Sequence, residues 1–198
     1  REYRINSKDK TLHEQAKRPH QFREFFECSD NSIIIPIVSS EQREYIPMGF
    51  AKKGVILNNS VQVVYDGNIL VFGLLMSKMH NIWVRQTAGR LESRFRYSAF
   101  LCYNAFPFPR LNEQQKQNVI ELAKEILLIR AEHTEMTLGE MYNPDTFPQD
   151  LYIAHHALDL AVERCYREKP FESDEERLEF LFKQYIKLTT DKSTLWRT

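Results

Sequence analysis

Glycine is scarce here, at six in 198 residues. That leaves little room for a loop that cradles phosphate, and no such loop is found. Cysteine is scarcer still, with Cys28, Cys102 and Cys165 far apart and no CxxC pair. An odd, scattered set excludes a disulfide framework and a cysteine zinc site, and suits a reducing, cytoplasmic setting. Long apolar runs are missing as well. The longest fall within Ser32–Val38 and Ile69–Met76, well short of the roughly 20 residues a bilayer requires, so no membrane partner is expected. No basic segment followed by an apolar one marks a signal peptide. Net charge is absent too: 27 Lys and Arg balance 27 Asp and Glu. Taken as one number, that balance argues against a nucleic-acid partner.

Catalytic groupings are equally thin. His155 and His156 are adjacent, so on a helix they diverge by about 100° and cannot share a metal as an i, i+4 pair does. His155 falls on an apolar stripe and reads as a core histidine. Asn143-Pro144-Asp145 has the first two residues of the Asn-Pro-Pro-aromatic motif of amino-methylating enzymes. It lacks the second proline and the aromatic, and is discounted. No active site, metal site or cofactor site is expected within these residues.

What the chain does contain is an uneven distribution of charge. Residues 1–110 hold 16 basic against 10 acidic side chains, and residues 111–198 hold 11 against 17, so the halves carry +6 and −6. Phe50–Pro109 sharpens the contrast, with seven basic residues facing only Asp66 and Glu92. A basic segment joined to an acidic one points to a polyanion partner for the first half alone; ordinary charge scatter is the plain alternative.

The charge boundary is also a boundary of pattern. Phe106-Pro107-Phe108-Pro109 interrupts regular structure. Beyond it, Asn112 with Gln115 predicts a helix start, and an apolar stripe from Val119 to Ile129 carries that helix to about His133. Met141–Gln149 reads as a loop. A second helix is predicted from about Asp150, with Leu151, Ala154, His155, Leu158, Val162 and Cys165 on one side. A third is predicted from Ser173, closed by a capping box with Glu176, its stripe running from Leu178 to Ile186. In the first half, Ser32–Val38 and Val61–Tyr65 read as strands, the first an edge or bulged strand because of Pro36. Asn58-Asn59 reads as a turn, Asn68–Ala88 as one buried helix, and Arg94–Asn104 as a strand. Thr11–Phe26 reads as a short polar helix interrupted at Pro19. The expected class is α+β: a mixed strand and helix domain over residues 1–109, then a small helical bundle over 110–198.

Four ordered blocks carry a resemblance: KRPHQFRE (Lys17–Glu24), IPIVSSEQREYIPMGF (Ile35–Phe50), the long Phe72–Pro109 stretch, and PFESDEERLEFLF (Pro170–Phe182). Together they resemble the DNA target-recognition domain of the MmeI-like enzymes, single-chain (type IIL) restriction–modification proteins with a fused N6-adenine DNA methyltransferase. The resemblance implies that a nuclease and a methyltransferase precede Arg1, with S-adenosylmethionine as cofactor of the parent chain and none in this fragment. The opening on Arg1 and a polar stretch fits a segment excised from a longer protein. The implied partners are double-stranded DNA and the methyltransferase domain of the same chain.

Within GRLESRFRYS, strand alternation would place Glu92, Arg94 and Arg96 on one face if the strand begins that early. Arginine donates twice to guanine O6 and N7, and glutamate accepts from cytosine N4, so Glu92 and Arg94 could read one C·G pair. The resemblance associates these two positions with the base pair beside the methylated adenine. A local surface ion pair is the alternative. By the same resemblance Asn58, Asn59, Ser39, Ser40 and Glu41 are candidates for base reading. Their alternatives are a turn pair for the asparagines and a solvated loop for the others. Lys52, Lys53, Arg43, Arg85, Arg90 and Arg96 are candidates for phosphate contact, which positions a protein without reading sequence; each could equally be a solvated cation. Trp83, Phe95, Tyr97, Phe100 and Tyr103 are expected in the core. A rival from another class is a protein-interaction scaffold built on the acidic bundle. A third reading, an RNA-binding module, would prefer unpaired, stacked bases.

Overall fold

A computed structural model describes residues 2–18, 26–28 and 31–190. The predicted continuation of the first helix beyond Pro19, and most of the Lys17–Glu24 block, lie outside the described residues. The class is α+β.

The chain opens with two short helices, α1 (Glu2–Ile5) and α2 (Lys10–Gln15). Next come β1 (Phe26–Glu27), β2 (Ser32–Pro36), β3 (Val38–Ser39), β4 (Gly49–Ala51), β5 (Ile56–Leu57) and β6 (Val61–Val64). Helices α3 (Ile69–Met76) and α4 (Lys78–Thr87) lead to the hairpin β7 (Gly89–Leu91) and β8 (Arg94–Arg96), then to a π-helical turn over Ala99–Asn104. The second half is helical: α5 (Glu113–Glu132), α6 (Leu138–Met141), α7 (Gln149–Tyr166) and α8 (Asp174–Thr190). The strands form three small antiparallel sheets, ordered β1-β5, β4-β2-β6 and β3-β8-β7.

Several expectations are corrected by the structure. β2 is the central strand of its sheet, not an edge. Pro36 is tolerated because it is the last residue of the strand, where the chain leaves one sheet for the next. Ile37 marks that transfer: its N–H donates to the Ser60 carbonyl at 2.9 Å and its carbonyl accepts from the Tyr97 N–H at 2.7 Å. The predicted Asn68–Ala88 helix is two helices, broken at Ser77, whose backbone is extended. The predicted strand over Arg94–Asn104 stops at Arg96, and Ala99–Asn104 is π-helical. Ser98 caps that turn by accepting from the Leu101 N–H, a local bond that competes with a sheet ladder.

The predicted helix starts are found. Asn112 and Gln115 form a reciprocal capping box on α5. At α8 the Ser173 hydroxyl accepts from the Glu176 N–H, but the Glu176 carboxylate reaches the N–H of Glu172 and pairs with Arg167 instead of closing the box.

A single apolar core runs through both halves, from Ile33 and Ile35 through Phe72, Leu75, Met79 and Trp83 to Ile126, Leu158 and Leu181. Helices α3 and α5 approach closely at Gly73, where an added Cβ would lie 2.9 Å from Val119 and 3.0 Å from Ala123.

Two buried polar groups join the halves. Arg130 of α5 donates to the Met48 carbonyl at 2.8 Å and to the Tyr142 hydroxyl, and lies over the Tyr142 ring at 4.7 Å. Tyr142 in turn meets His155 at 2.6 Å, and burial holds His155 well below the ordinary histidine range. Asp159 of α7 accepts from the Tyr45 hydroxyl and from the Lys78 N–H, both at 2.6 Å. The second bond answers a local need. The Ser77 hydroxyl donates back to the Leu74 carbonyl at 2.7 Å, so it does not cap α4. A carboxylate from another helix serves in its place, where the helix dipole favours negative charge.

Replacing Arg130 with Ala leaves the Met48 carbonyl and the Tyr142 hydroxyl short of a donor and opens a cavity. Unfolding free energy should fall by roughly 3 kcal/mol or more in chemical denaturation. Burial raises Asp159 from 3.8 to about 7, against its hydrogen bonds and the Lys78 charge. The folded state therefore holds that proton more tightly than the unfolded chain. The resulting stability is fully present below 3.8 and is lost as pH rises through about 7. Stability of the native chain relative to Asp159→Asn should thus decline across that window, as followed by denaturant midpoints in a pH series.

Candidate nucleic-acid interface

The β7–β8 hairpin is built on a tight turn without glycine. Leu91 pairs with Arg94, so Glu92 and Ser93 are the two turn residues. Glu92 therefore lies in the turn, not in the strand, and the strand begins at Arg94. Its φ is +58°, a left-handed conformation in which a residue with a Cβ is held at a cost of about 1–2 kcal/mol. The Arg94 guanidinium donates to the Glu92 carboxylate at 2.6 Å, and both side chains are substantially exposed.

Directly paired residues share a face, which sorts the hairpin cleanly. Leu91 with Arg94, and Gly89 with Arg96 and Val38, occupy the outer face. Arg90, Phe95 and Ser39 occupy the inner face. Arg96 is exposed beside Arg94, and among the described residues no hydrogen bond or ion pair engages its side chain. Arg90 lies on the other side, its guanidinium 4.2 Å from the centre of the buried Phe95 ring. Ser39 is 3% exposed, and among the described residues its buried hydroxyl has no hydrogen-bond partner. Of the base-reading candidates, it alone is turned into the protein.

Ser40 and Glu41 form a turn next to the hairpin, with the Ser40 hydroxyl accepting from the Gln42 N–H at 3.2 Å. Glu41 lies against the hairpin turn: its own backbone N–H and the Ser93 hydroxyl hold its carboxyl below the usual range, assisted by Arg90 and Arg94. Arg85 is half-buried and donates to the backbone carbonyls of Glu41 and Arg43. Arg43 donates to the Gly139 carbonyl at 3.1 Å. The donors of Arg85 and Arg43 are thus committed inside the fold.

Asn58 and Asn59 are exposed in the turn before β6, where the Asn58 side chain accepts from the Ser60 N–H at 3.0 Å. The Ser60–Ile37–Tyr97 backbone bonds place this turn beside the far end of β8. Lys52 and Lys53 follow β4 at the opposite end of β2, since Ala51 pairs with Ser32 while Val61 pairs with Pro36. That separation is about 13 Å along the strand. The structure therefore groups Glu92, Arg94, Arg96, Ser40, Glu41, Asn58 and Asn59 along one connected strip, and sets the two lysines apart.

Ser93 and Phe95 were not singled out by sequence reasoning as partners of Glu41 and Arg90. The missing cue was an Asn-Gly or Gly-containing turn, the usual signature of a two-residue hairpin. Trp83, Phe95 and Tyr97 are buried and Tyr103 is partly so, as expected, but Phe100 is 74% exposed. Among the described residues no cluster of three or more His, Cys, Asp or Glu is arranged to hold a metal, and no helix is long and apolar enough to cross a membrane.

The sequence and the fold both match known proteins. The family model for the MmeI target recognition domain matches residues 1–110, and that for the MmeI C-terminal domain matches residues 111–192. The chain belongs to the MmeI family. It is 50% identical over 187 residues to DNA methyltransferase A of Bacillus subtilis (strain 168), a match covering 94% of this chain and 21% of that protein. It also superposes on a solved type IIL restriction-modification enzyme, MmeI, in complex with DNA, with a TM-score of 0.89 and 40% identity. That match covers 96% of this chain and 25% of the solved one. The chain thus spans about a fifth to a quarter of the length of these MmeI-family relatives.

Glycine at position 92 would relieve the left-handed backbone while removing the carboxylate. Glu92→Gly should leave the thermal midpoint unchanged or higher, as measured by calorimetry.

Proposed function

We propose that this chain reads duplex DNA sequence in the major groove and sets the target of an adenine-N6 methyltransferase in the full-length protein. The observation that carries the reading is the exposed Glu92–Arg94 pair on the hairpin, within a fold that matches a DNA-bound MmeI. Glu92 offers acceptors for cytosine N4 and Arg94 offers paired donors for guanine O6 and N7. The two pair with one another at 2.6 Å in the free protein. Exposed ion pairs are worth about 0–1 kcal/mol, so exchanging that contact for base edges costs little. Glutamate held in a turn position that favours glycine is the kind of strain that accompanies a functional residue.

Arg96 and the Asn58-Asn59 turn extend the contact along the groove, Arg96 as a phosphate contact and the asparagines as acceptors and donors toward adenine. Ser40 and Glu41 border the hairpin and approach neighbouring positions. Lys52 and Lys53 would meet phosphates farther along the duplex. Arg85 and Arg43 are assigned to holding the Glu41–Met48 loop, and Ser39 to packing. Residues 1–109 act as the recognition unit. Residues 110–198 act as its helical support, with their acidic surface kept from the phosphates.

S-adenosylmethionine would supply the methyl group in the full-length protein. The residues present here do not fit it: Asn143 spends its side-chain oxygen on the Asp145 N–H at 3.3 Å within a turn, and no glycine-rich loop lies beside a strand. The donor and the transfer chemistry belong to other parts of the protein, and the whole acts on DNA in the cytoplasm.

Exchanging the pair as Glu92→Lys with Arg94→Asp in the full-length protein should invert the recognised pair at one position of the methylated motif, as mapped by sequencing modified adenines. A motif unchanged at every position would overturn the assignment. Binding of the native protein should weaken steeply with salt, as counterion release requires. Undetectable binding to duplex even at low salt would favour a scaffold.

A further inference from the structure

Arg90 differs from the other cations of the hairpin in face and partners. It pairs across the ladder with Phe95, not with Arg94 or Arg96. One terminal nitrogen donates to the Ser93 carbonyl at 3.3 Å and the other to the Arg85 carbonyl at 3.1 Å. Its guanidinium plane covers the Phe95 ring at 4.2 Å, and that of Arg85 approaches the same ring at 5.3 Å. One arginine thus spans from the turn that carries Glu92 to the last turn of α4. Arg85 continues the chain by donating to the carbonyls of Glu41 and Arg43, and Glu41 returns to the hairpin through the Ser93 hydroxyl. The circuit closes on Ser93 from both sides.

We propose that Arg90 is a positioning residue for sequence discrimination: it clamps the Glu92–Ser93 turn to α4 and so fixes where the Glu92–Arg94 pair is presented. This rests on the base-reading assignment of that pair. Arginine suits the task because its planar fork reaches two carbonyls while stacking on an aromatic ring, which lysine cannot reproduce. A turn of two residues has few other ways to hold its angle, and small displacements at a base edge cost a large share of a bidentate contact.

The test uses the full-length protein and duplexes that differ at one base pair at a time, with methylation kcat/KM as the readout. Arg90→Lys keeps the charge and removes the fork. Arg90→Met removes the charge and keeps the ring covered. Both should lose about tenfold discrimination at the single pair assigned to Glu92 and Arg94, hold the other positions within about twofold, and leave the salt slope of DNA binding unchanged. A salt slope lowered by about one unit in Arg90→Met would make Arg90 a phosphate contact and overturn the proposal. So would an equal loss at every position, the mark of a merely structural role, or full discrimination in both variants. The Glu92→Lys, Arg94→Asp exchange is run beside them. If it changes the motif while the Arg90 variants do not, only the clamp fails; if it changes nothing, the base-reading assignment fails.

Discussion

Asp159 holds three parts of the chain with one buried carboxylate. It stands on α7 in the second half, accepts the Tyr45 hydroxyl from the β3–β4 loop, and caps α4 at Lys78. The loop it holds, Glu41–Met48, has almost no ladder of its own. Buried backbone groups cannot go without partners, so side chains from elsewhere supply them. Asn81 accepts from the Ile46 N–H, Arg85 donates to the carbonyls of Glu41 and Arg43, and Arg130 donates to that of Met48. All three donors and acceptors stand on helices. The loop is shaped by α4 and α5, and the start of α4 is itself capped by Asp159.

This dependence explains why the acidic half accompanies the basic one. The second half does more than fill space: the close passage at Gly73, the Arg130–Met48 bond and the Lys78–Asp174 pair all cross the boundary near residue 110. The β3-β8-β7 sheet has only three strands, and sheets that small are marginal unless a face packs on something rigid. Here Phe95 and Tyr97 are buried under β8, and Tyr97 joins Trp83 of α4 in a core that α5, α7 and α8 complete. The opposed charges of the halves, +6 and −6, sit on one body with a shared core. The net balance of charge hides this, because it sums the two halves.

How much of this was legible from the residues differs by element. Three of the four helices described in the second half could be placed nearly to the residue, and for α5 the reason is a local cap, since Asn112 and Gln115 satisfy one another within one turn; the short α6 was not foreseen. The break at Ser77 was not legible, since its capping group, Asp159, lies 81 residues away in sequence. The π-helical turn after Arg96 was read as strand because RFRYSAFLCYN has the composition of one, and only the Ser98 cap and the burial of Cys102 decide otherwise. Glu92 and Arg94 were found as a pair, but the face they share was inferred from a strand that begins two residues later than supposed. The inner-face role of Arg90 depends on register, and register depends on where the turn falls. A turn lacking glycine gives no sign of its place.

The same register argument says where such a surface can change and where it cannot. Among the described residues, the side chains of Glu92 and Arg94 hydrogen-bond to each other and to no third group. Their replacement disturbs one exposed ion pair, worth about 0–1 kcal/mol. Arg90, Phe95 and Arg85 are each held by two or more contacts, to Ser93, to the helix end and to the loop. Altering any of them removes a contact that holds the turn. A hairpin built this way separates the side chains proposed to read bases from the contacts that hold their turn. The left-handed backbone at Glu92 marks the limit of that separation. Of the positions proposed to read bases, it alone among the described residues combines a side chain with a left-handed backbone, and β-branched residues would be the most strained there.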